Sequence, residues 1–417
     1  MSFRSVVAVS SLLSMFLVSS SSSAAEMETI GFAKALATAK ERSPNVKIAV
    51  ADIARAVALA RQARAAVFPT LIGNGVYTRL DDDRRVGDRI AQGRDSLSLS
   101  VTAGVPLIQF QRWGALRRAD DQAHVVDFNE KAIARDVVVG AARSYLAVLL
   151  QKRAVEVAIR ARDTSKAHFD YSVAREKGGL GSKLDAVRAG QELETSETQV
   201  AQSTLSLLRT QEALGIALGL DHAVDAEEEP SLTIDEKAVK PRADVEAAKE
   251  SVRAANRGTN DLFRDFIPTL SGTFQPFYQN PPTLTLPETG WQAQLLLTVP
   301  FFDGGLRYGQ QREREALLVQ AQARLEDINR RATTDLRLGK AAIIQAETVL
   351  TRAREAARLA REAARLSQIA YESGAATNLE VVDADRRARD ADTQAALAED
   401  GFRQARLDWL AATGVIE

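Results

Sequence analysis

Proline placement constrains this chain more than any other feature. Eleven prolines are present, yet none falls in 107–229 and none in 301–417. Proline breaks a helix interior by removing an amide donor and clashing with the preceding turn. Both proline-free stretches are rich in Ala, Leu, Arg, Glu and Gln, all good helix formers. The pattern predicts continuous helix over about 113–177 and about 306–372. At about 1.5 Å per residue each rod is roughly 100 Å long, several times the diameter of a small domain. A chain with two such rods is elongated.

The second rod shows how it packs. Leu336, Ile343, Leu350, Ala357, Ala364 and Tyr371 recur every seven residues. Gly339, Ala346, Ala353, Ala360 and Ser367 follow the first five by three, and Lys340, Glu347, Arg354, Arg361 and Gln368 come next. An apolar-to-small seam beside a polar flank is a coiled-coil signature, and small residues let helices approach closely. The seam fits a wall of paired helices around a space and an ordinary long antiparallel bundle equally well.

The chain repeats itself. Phe68-Pro69-Thr70-Leu71 returns as Ile267-Pro268-Thr269-Leu270, and Val105-Pro106-Leu107-Ile108 as Val299-Pro300-Phe301-Phe302. Gly178 and Leu184-Asp185-Ala186-Val187 return as Gly374 and Leu379-Glu380-Val381-Val382. A period of about 195 residues is too long for a solenoid unit. It marks a duplicated half: helix, strand, strand, long helix, helix. The first copy is assigned to 26–220 and the second to 242–417; residues 221–241, with Pro230 and Pro241, join them.

Residues 1–25 stand outside this scheme. Arg4, a mostly apolar Val6–Val18, the run Ser19–Ser23 and Ala24-Ala25 read as a secretory signal cleaved after Ala25. The other reading is a membrane anchor, but the apolar stretch is short for a span of about 20 residues. No other segment is long and apolar enough for a transmembrane helix.

Between the proline pairs the pattern switches to period two. Leu97, Leu99, Val101, Ala103 and Val105 alternate with Ser96, Ser98, Ser100, Thr102 and Gly104. Trp291, Ala293, Leu295, Leu297 and Val299 alternate with Gln292, Gln294, Leu296 and Thr298. These strands, about 96–105 and 291–299, with partners about 70–79 and 269–278, have the length of about 10 residues that crosses a bilayer at a tilt. Apolar residues outside and small polar residues inside suit a barrel with a watery lumen. Aromatics gather at both ends: Phe68, Phe110, Trp113, Phe266, Phe301 and Phe302 next to the helices, Tyr77, Phe277, Tyr278 and Trp291 next to the loops. Two belts around an apolar band are what a bilayer interface selects. The competing reading is two soluble hairpins packed on a helix. Four strands cannot close a barrel, since about eight are needed, and open edges are not viable in lipid. Strands that cross a membrane here therefore require an oligomer.

Composition narrows the function. A formal net charge of −1 argues against a nucleic-acid partner. There is no cysteine, which excludes disulfides, thiol catalysis and lipid attachment to an N-terminal Cys. His124, His168 and His222 lie far apart, so no metal site and no cofactor are expected; His168 and His222 read as surface residues. No nucleophile–base arrangement or phosphate loop is visible, which speaks against an enzyme.

The duplication, Phe68-Pro69 and Ile267-Pro268 before strands, Val299-Pro300-Phe301-Phe302-Asp303-Gly304-Gly305 after one, and two Gly-bearing helix turns together resemble the TolC-like outer-membrane efflux protein family. The resemblance runs from about Phe32 to Gly414. It implies a mainly α fold with a membrane β-barrel portion, a homotrimer with a twelve-stranded barrel continuous with an α-helical periplasmic tunnel. It also implies placement in the bacterial outer membrane, in contact with its lipid. The partners it implies are a periplasmic adaptor (membrane fusion) protein and an inner-membrane pump of RND or ABC type, in efflux or type I secretion. The alternative is a periplasmic coiled-coil scaffold or adaptor without membrane strands. The first copy departs from the pattern at Pro106-Leu107-Ile108-Gln109-Phe110, which lacks the Asp-Gly-Gly of the second.

Two turns break the long helices: Gly178-Gly179-Leu180-Gly181-Ser182 and Gly374-Ala375-Ala376-Thr377. The resemblance makes them the periplasmic tip that meets the adaptor. Asp185, Glu380 and Asp383 match the family's aperture carboxylates, and Tyr371 matches a tyrosine of its closing network. Ala376 stands where some members carry an Arg that locks the closed state. The plainer reading is that Thr377-x-x-Glu380 is a capping box, that Ser182-x-x-Asp185 is close to one, and that Asp383 lies on a solvated face.

Overall fold

The computed structural model describes residues 27–227, 229–234, 239–261, 264, 266–283 and 285–416; the expected signal segment lies outside them. The first half runs β1 (Glu28–Ile30), α1 (Phe32–Arg42), α2 (Pro44–Ala65), β2 (Thr70–Arg79), a short β3 (Arg84–Val86) and β4 (Arg89–Gln92), β5 (Asp95–Ile108), α3 (Phe110–Lys177) and α4 (Lys183–Leu218). After β6 (Val224–Ala226), the second half runs α5 (Ala243–Asn260), β7 (Thr269–Asn280), β8 (Thr289–Thr298), α6 (Leu306–Glu372) and α7 (Asn378–Ala412). The proline-free stretches hold the rods: α3 has 68 residues and α6 has 67, each about 100 Å of unbroken helix. Among the described residues no helix is long and apolar enough to cross a membrane.

The helices form a slab. α3 lies in its middle, with α2 and α4 on one side and α5 and α7 on the other; α6 packs on α5 and α7. Near the sheet, α3 is tied to α2 and α5 by Arg64–Asp120 and Arg257–Asp121. Farther along, Arg143–Asp408 ties it to α7. The heptad seam of α6 is its buried stripe: Gly339, Leu350, Ala357 and Tyr371 are buried and the other seam positions half-buried. Lys340, Glu347, Arg354 and Arg361 on the flank are exposed. Gly339 has a packing reason, because a Cβ there would meet the Trp409 ring at 3.2 Å.

The four long strands form one antiparallel sheet in the order β2-β5-β7-β8. Thr70↔Gly104, Gly104↔Thr273 and Thr273↔Gln294 set its register. Among the described residues the outer edges of β2 and β8 have no partner strand. Sheet and slab thus leave open edges on matching sides, β2 with α2 and α4 on one, β8 with α6 on the other.

The main core sits midway along the rods. Residues 221–241 do more than join the halves, because their β6 pairs in parallel with β1, Glu28↔Val224 through Ile30↔Ala226. Over this ribbon pack Ala141, Ala142, Tyr145 and Leu146 of α3, Leu214 and Leu218 of α4, and Leu407 and Leu410 of α7.

Candidate functional site

The strand band is inside-out. On β5, Leu97, Leu99, Val101 and Val105 are 38–44% exposed, while Ser96, Ser98, Ser100 and Thr102 on the opposite face are half-buried. A sheet folded for water shows the reverse, with its apolar face on a core. On the edge strand β8 both faces are exposed, with Leu295 and Leu297 at 74% and 62% on one and Leu296 at 62% on the other. The expected belt residues bracket this band. Tyr77 is exposed and donates to Asp95 Oδ1 at 2.7 Å. Trp291 is exposed beside Phe274, and Phe277 and Tyr278 are half-buried at the same loop end. At the helix end Trp113 meets Phe110 edge-on at 5.1 Å, and Phe301 and Phe302 are 92% and 87% exposed. Arg307 braces that joint by bonding Asp303 and the Pro300 carbonyl and covering the Phe266 ring at 4.7 Å.

At the far end of the rods the two turns lie together. Gly179 and Gly374 adopt φ of +72° and +80°, a left-handed conformation that favours glycine and ends α3 and α6. Ser182 then caps α4, its Oγ accepting from Leu184 N (3.1 Å) and Asp185 N (3.3 Å). Thr377 and Glu380 close a reciprocal capping box on α7. Asp383 pairs with Arg387 at 2.8 Å, so its charge is partly balanced on its own helix. Gly178, Leu180, Gly181, Ala375 and Ala376 complete the turns, with Leu180 77% exposed.

Tyr371 is buried in a joint between the two helical hairpins. Its ring meets Tyr171 at 5.9 Å and His168 at 5.6 Å. Arg175 lies over it at 4.9 Å and donates to the Tyr371 and Leu180 carbonyls, tying the end of α6 to the α3–α4 turn. Asn378 Nδ2 reaches the Asp185 carbonyl at 3.4 Å.

The surface assignment of His168 is corrected: it is 5% exposed, with Nδ1 3.2 Å from Gln368 Oε1. The beginning of α7, from the other half of the chain, covers it. Burial lowers its pKa, opposed by its hydrogen bonds to Gln368 and Asn378. His222 is exposed as expected, between Asp221 and Glu28.

An ion cluster around one buried carboxylate lies just above the turns. Glu192 of α4 accepts from Arg386 (2.9 and 2.6 Å) and Arg389 (3.0 Å) of α7. Burial alone would raise the Glu192 pKa, but these two arginines more than offset it and hold it below the ordinary value. Beside it, burial and then the charge of Glu192 push Asp385 up to about 6 against the pull of Arg389. A carboxyl whose pKa is raised on folding adds stability that is complete below its unfolded value and is lost as pH climbs through the folded one. Asp385→Asn is therefore expected to raise the unfolding midpoint at pH 7.5 by the equivalent of about 1–2 kcal/mol, less than the full shift because the carboxyl keeps some solvent contact. The gain should fade by pH 4. A thermal melt at both pH values checks this, and an equal gain at both would refute the titration.

Sequence reasoning missed Glu192, Asp385, Arg386, Arg389, His168, Arg175 and Asn378. A signal existed for some: Ala161, His168 and Arg175 are seven apart on α3, as are Ala158, Ser165 and Ser172. On α4, Glu192 follows Ala189 by three in a buried stripe continued by Ser196 and Ser203.

Known proteins share this architecture. A membrane protein of Pseudomonas aeruginosa superposes with a TM-score of 0.82 at 21% identity, covering 93% of this chain and 91% of that one. The outer membrane protein VceC of Vibrio cholerae gives 0.78 at 17% identity, covering 92% and 96%. The fusaric acid resistance protein FusA of Burkholderia cepacia is 26% identical over 296 residues, 65% of this chain and only 55% of that relative, so the match spans about half of its length. The model of the outer membrane efflux protein family matches residues 35–220 and 236–415, one segment for each half of the duplication. With the duplicated helix–strand–strand–helix plan, the inside-out sheet and the paired rods, this places the chain in the outer membrane efflux protein family.

Proposed function

We propose that the chain is the outer-membrane exit duct of a tripartite efflux or type I secretion system, passing cargo outward without bond chemistry. The observation that carries this reading is the two-faced β5, whose Leu97, Leu99, Val101 and Val105 are exposed on one face while Ser96, Ser98, Ser100 and Thr102 line the other. Lipid outside and water inside satisfy both faces. Three copies joined head to tail, β8 and α6 of one against β2 and α2/α4 of the next, form a closed ring without free strand edges. The four strands of each copy then make a twelve-stranded barrel, and the rods continue it as a periplasmic tunnel. The turns at 178–182 and 374–377 meet the adaptor, and Asp185, Glu380, Asp383 and Tyr371 surround the aperture. An inner-membrane pump supplies the cargo. A periplasmic scaffold without membrane strands leaves the exposed apolar band unexplained.

Outer membranes from expressing bacteria, run on a gel with and without boiling, are expected to show a heat-sensitive oligomer. A soluble periplasmic monomer would overturn the duct. For the aperture, Glu380→Ala with Asp383→Ala is expected to lower the preference for cations over anions in a planar bilayer. Only part of the acidic charge is free, because Arg387 balances Asp383. Unchanged selectivity removes the acidic-ring role and leaves the duct standing.

A further inference from the structure

We infer, on the duct reading above, that Phe277 faces the lumen at the loop end of the strands and is a specificity-determining contact for planar aromatic cargo. The juxtaposition behind it is one aromatic ring on the hydroxyl-and-amide face of the sheet, laid across a glycine and beside a glutamine pair.

Cross-strand partners share a face, so the register sorts the aromatics of the four long strands. Leu99↔Tyr278 and Ala103↔Phe274 put Tyr278 and Phe274 with the leucines of β5. Tyr77↔Leu97 and Pro276↔Trp291 put Tyr77 and Trp291 on that same face. Phe277 falls on the other. Ser100↔Phe277 and Asn74↔Ser100 place it in one row with a serine and an asparagine. Sequence pattern groups it with the belt because it adjoins Tyr278 at the loop end. Alternation along β7 turns the two rings to opposite faces.

The face that receives Phe277 is neither a core nor a belt. The strand stretches 70–78, 96–104, 269–279 and 290–298 contain no Asp, Glu, Lys or Arg. On the serine face Ile72, Val76 and Leu296 are aliphatic, and among the described residues Phe277 is its one aromatic. One row toward the helices, Gln292 Nε2 donates to Gln275 Oε1 at 2.6 Å. The ring crosses to β8: a Cβ added at Gly290, its cross-strand partner, would come within 2.7 Å of the ring tip, so a side chain there would displace it. Laid over the backbone of β8, the half-buried ring keeps part of its surface open. That surface offers a stacking contact to a planar ring in transit, on a wall where no charge competes. The adjoining amides can donate to or accept from a polar substituent. Every copy in the ring repeats the contact, so equivalent sites surround the mouth.

The test uses the full-length oligomer in planar bilayers. The chain has no cysteine, so a single substitution places one thiol in each copy. A membrane-impermeant cationic thiol reagent is expected to lower conductance irreversibly in Phe277→Cys and in Ser100→Cys, its row neighbour. Ala103→Cys, on the opposite face, should be unaffected. Phe277→Cys left unmodified overturns the inference; if Ser100→Cys reacts in the same experiment, the duct stands. Conductance loss with Ala103→Cys alone sinks the duct reading too. Methyl viologen, a planar aromatic dication, and hexamethonium, an aliphatic one, then probe the contact from the loop side. Phe277→Leu keeps an apolar cover over Gly290. It is expected to raise the methyl viologen concentration for half-block by about two- to tenfold, the range of a lost aromatic contact, with hexamethonium unchanged. Phe277→Tyr should keep wild-type block. If Phe277→Leu fails to assemble, Gly290→Ala, which displaces the ring without removing it, is read in the same way. No greater block by methyl viologen than by hexamethonium in wild type overturns the stacking role, as does wild-type block in Phe277→Leu.

Discussion

Ala293→Arg with Leu295→Arg is expected to abolish the outer-membrane oligomer, while Gln294→Arg between them is tolerated. All three positions lie in the middle of β8, and alternation puts 293 and 295 on one face and 294 on the other. Leu295 is 74% exposed in the single chain, so a soluble hairpin would accept Arg there at a cost within about 0.5 kcal/mol. In a bilayer each Arg near the midplane costs about 2–4 kcal/mol, and every copy in the ring repeats the cost. The same substitution on the lumen side meets water and changes the pore rather than the assembly. The heat-sensitive band on a gel of outer membranes reads the result. A double variant that assembles like wild type would show that this face does not meet lipid.

Tyr145→Ala is expected to cost about 3–5 kcal/mol, the range for emptying a large aromatic site in a core. Tyr145 is fully buried on α3 and meets Phe32 edge-on at 5.2 Å. Around it lie β1 from the start of the first half, β6 from the joining segment and the end of α7 from the second half. The cavity would therefore loosen the place where both halves are knitted together. The unfolding temperature of the oligomer should fall by about 4–6 degrees, whereas Tyr171→Ala, at a half-buried site near the turns, should shift it less. A drop no larger than that of Tyr171→Ala would show that the slab holds without its central cluster.

The rods, the strands and the turns were legible because each is written in local pattern. Absence of proline and a seven-residue seam mark α6 from Leu336 to Tyr371, and the same seam is its buried stripe. Period-two alternation marks β5, and glycines mark the turns. The tip residues were legible by position, but not by environment. Glu380 is recognisable as a capping residue from Thr377 alone. That Asp383 would be balanced by Arg387 follows from i,i+4 spacing and could have been read as well.

The cluster of Glu192, Arg386 and Arg389 was not legible, because its partners are about 195 positions apart and the relation between them exists only once α4 and α7 lie side by side. His168 illustrates the same limit. Its exposure depends on Asn378 and Gln368, which reach it from the second half of the chain. Segment 221–241 reads as a joining stretch because a three-residue β6 leaves no periodicity to detect.

By itself, then, the sequence determined the secondary structure, the duplication and the two-faced character of the strands, since propensity, period and turn chemistry act over a few residues. Tertiary structure decided which charges are buried together, which edges remain open and which residues hold the hairpins to one another. Burial and pairing are properties of the surroundings, and here those surroundings are supplied by the other half of the chain.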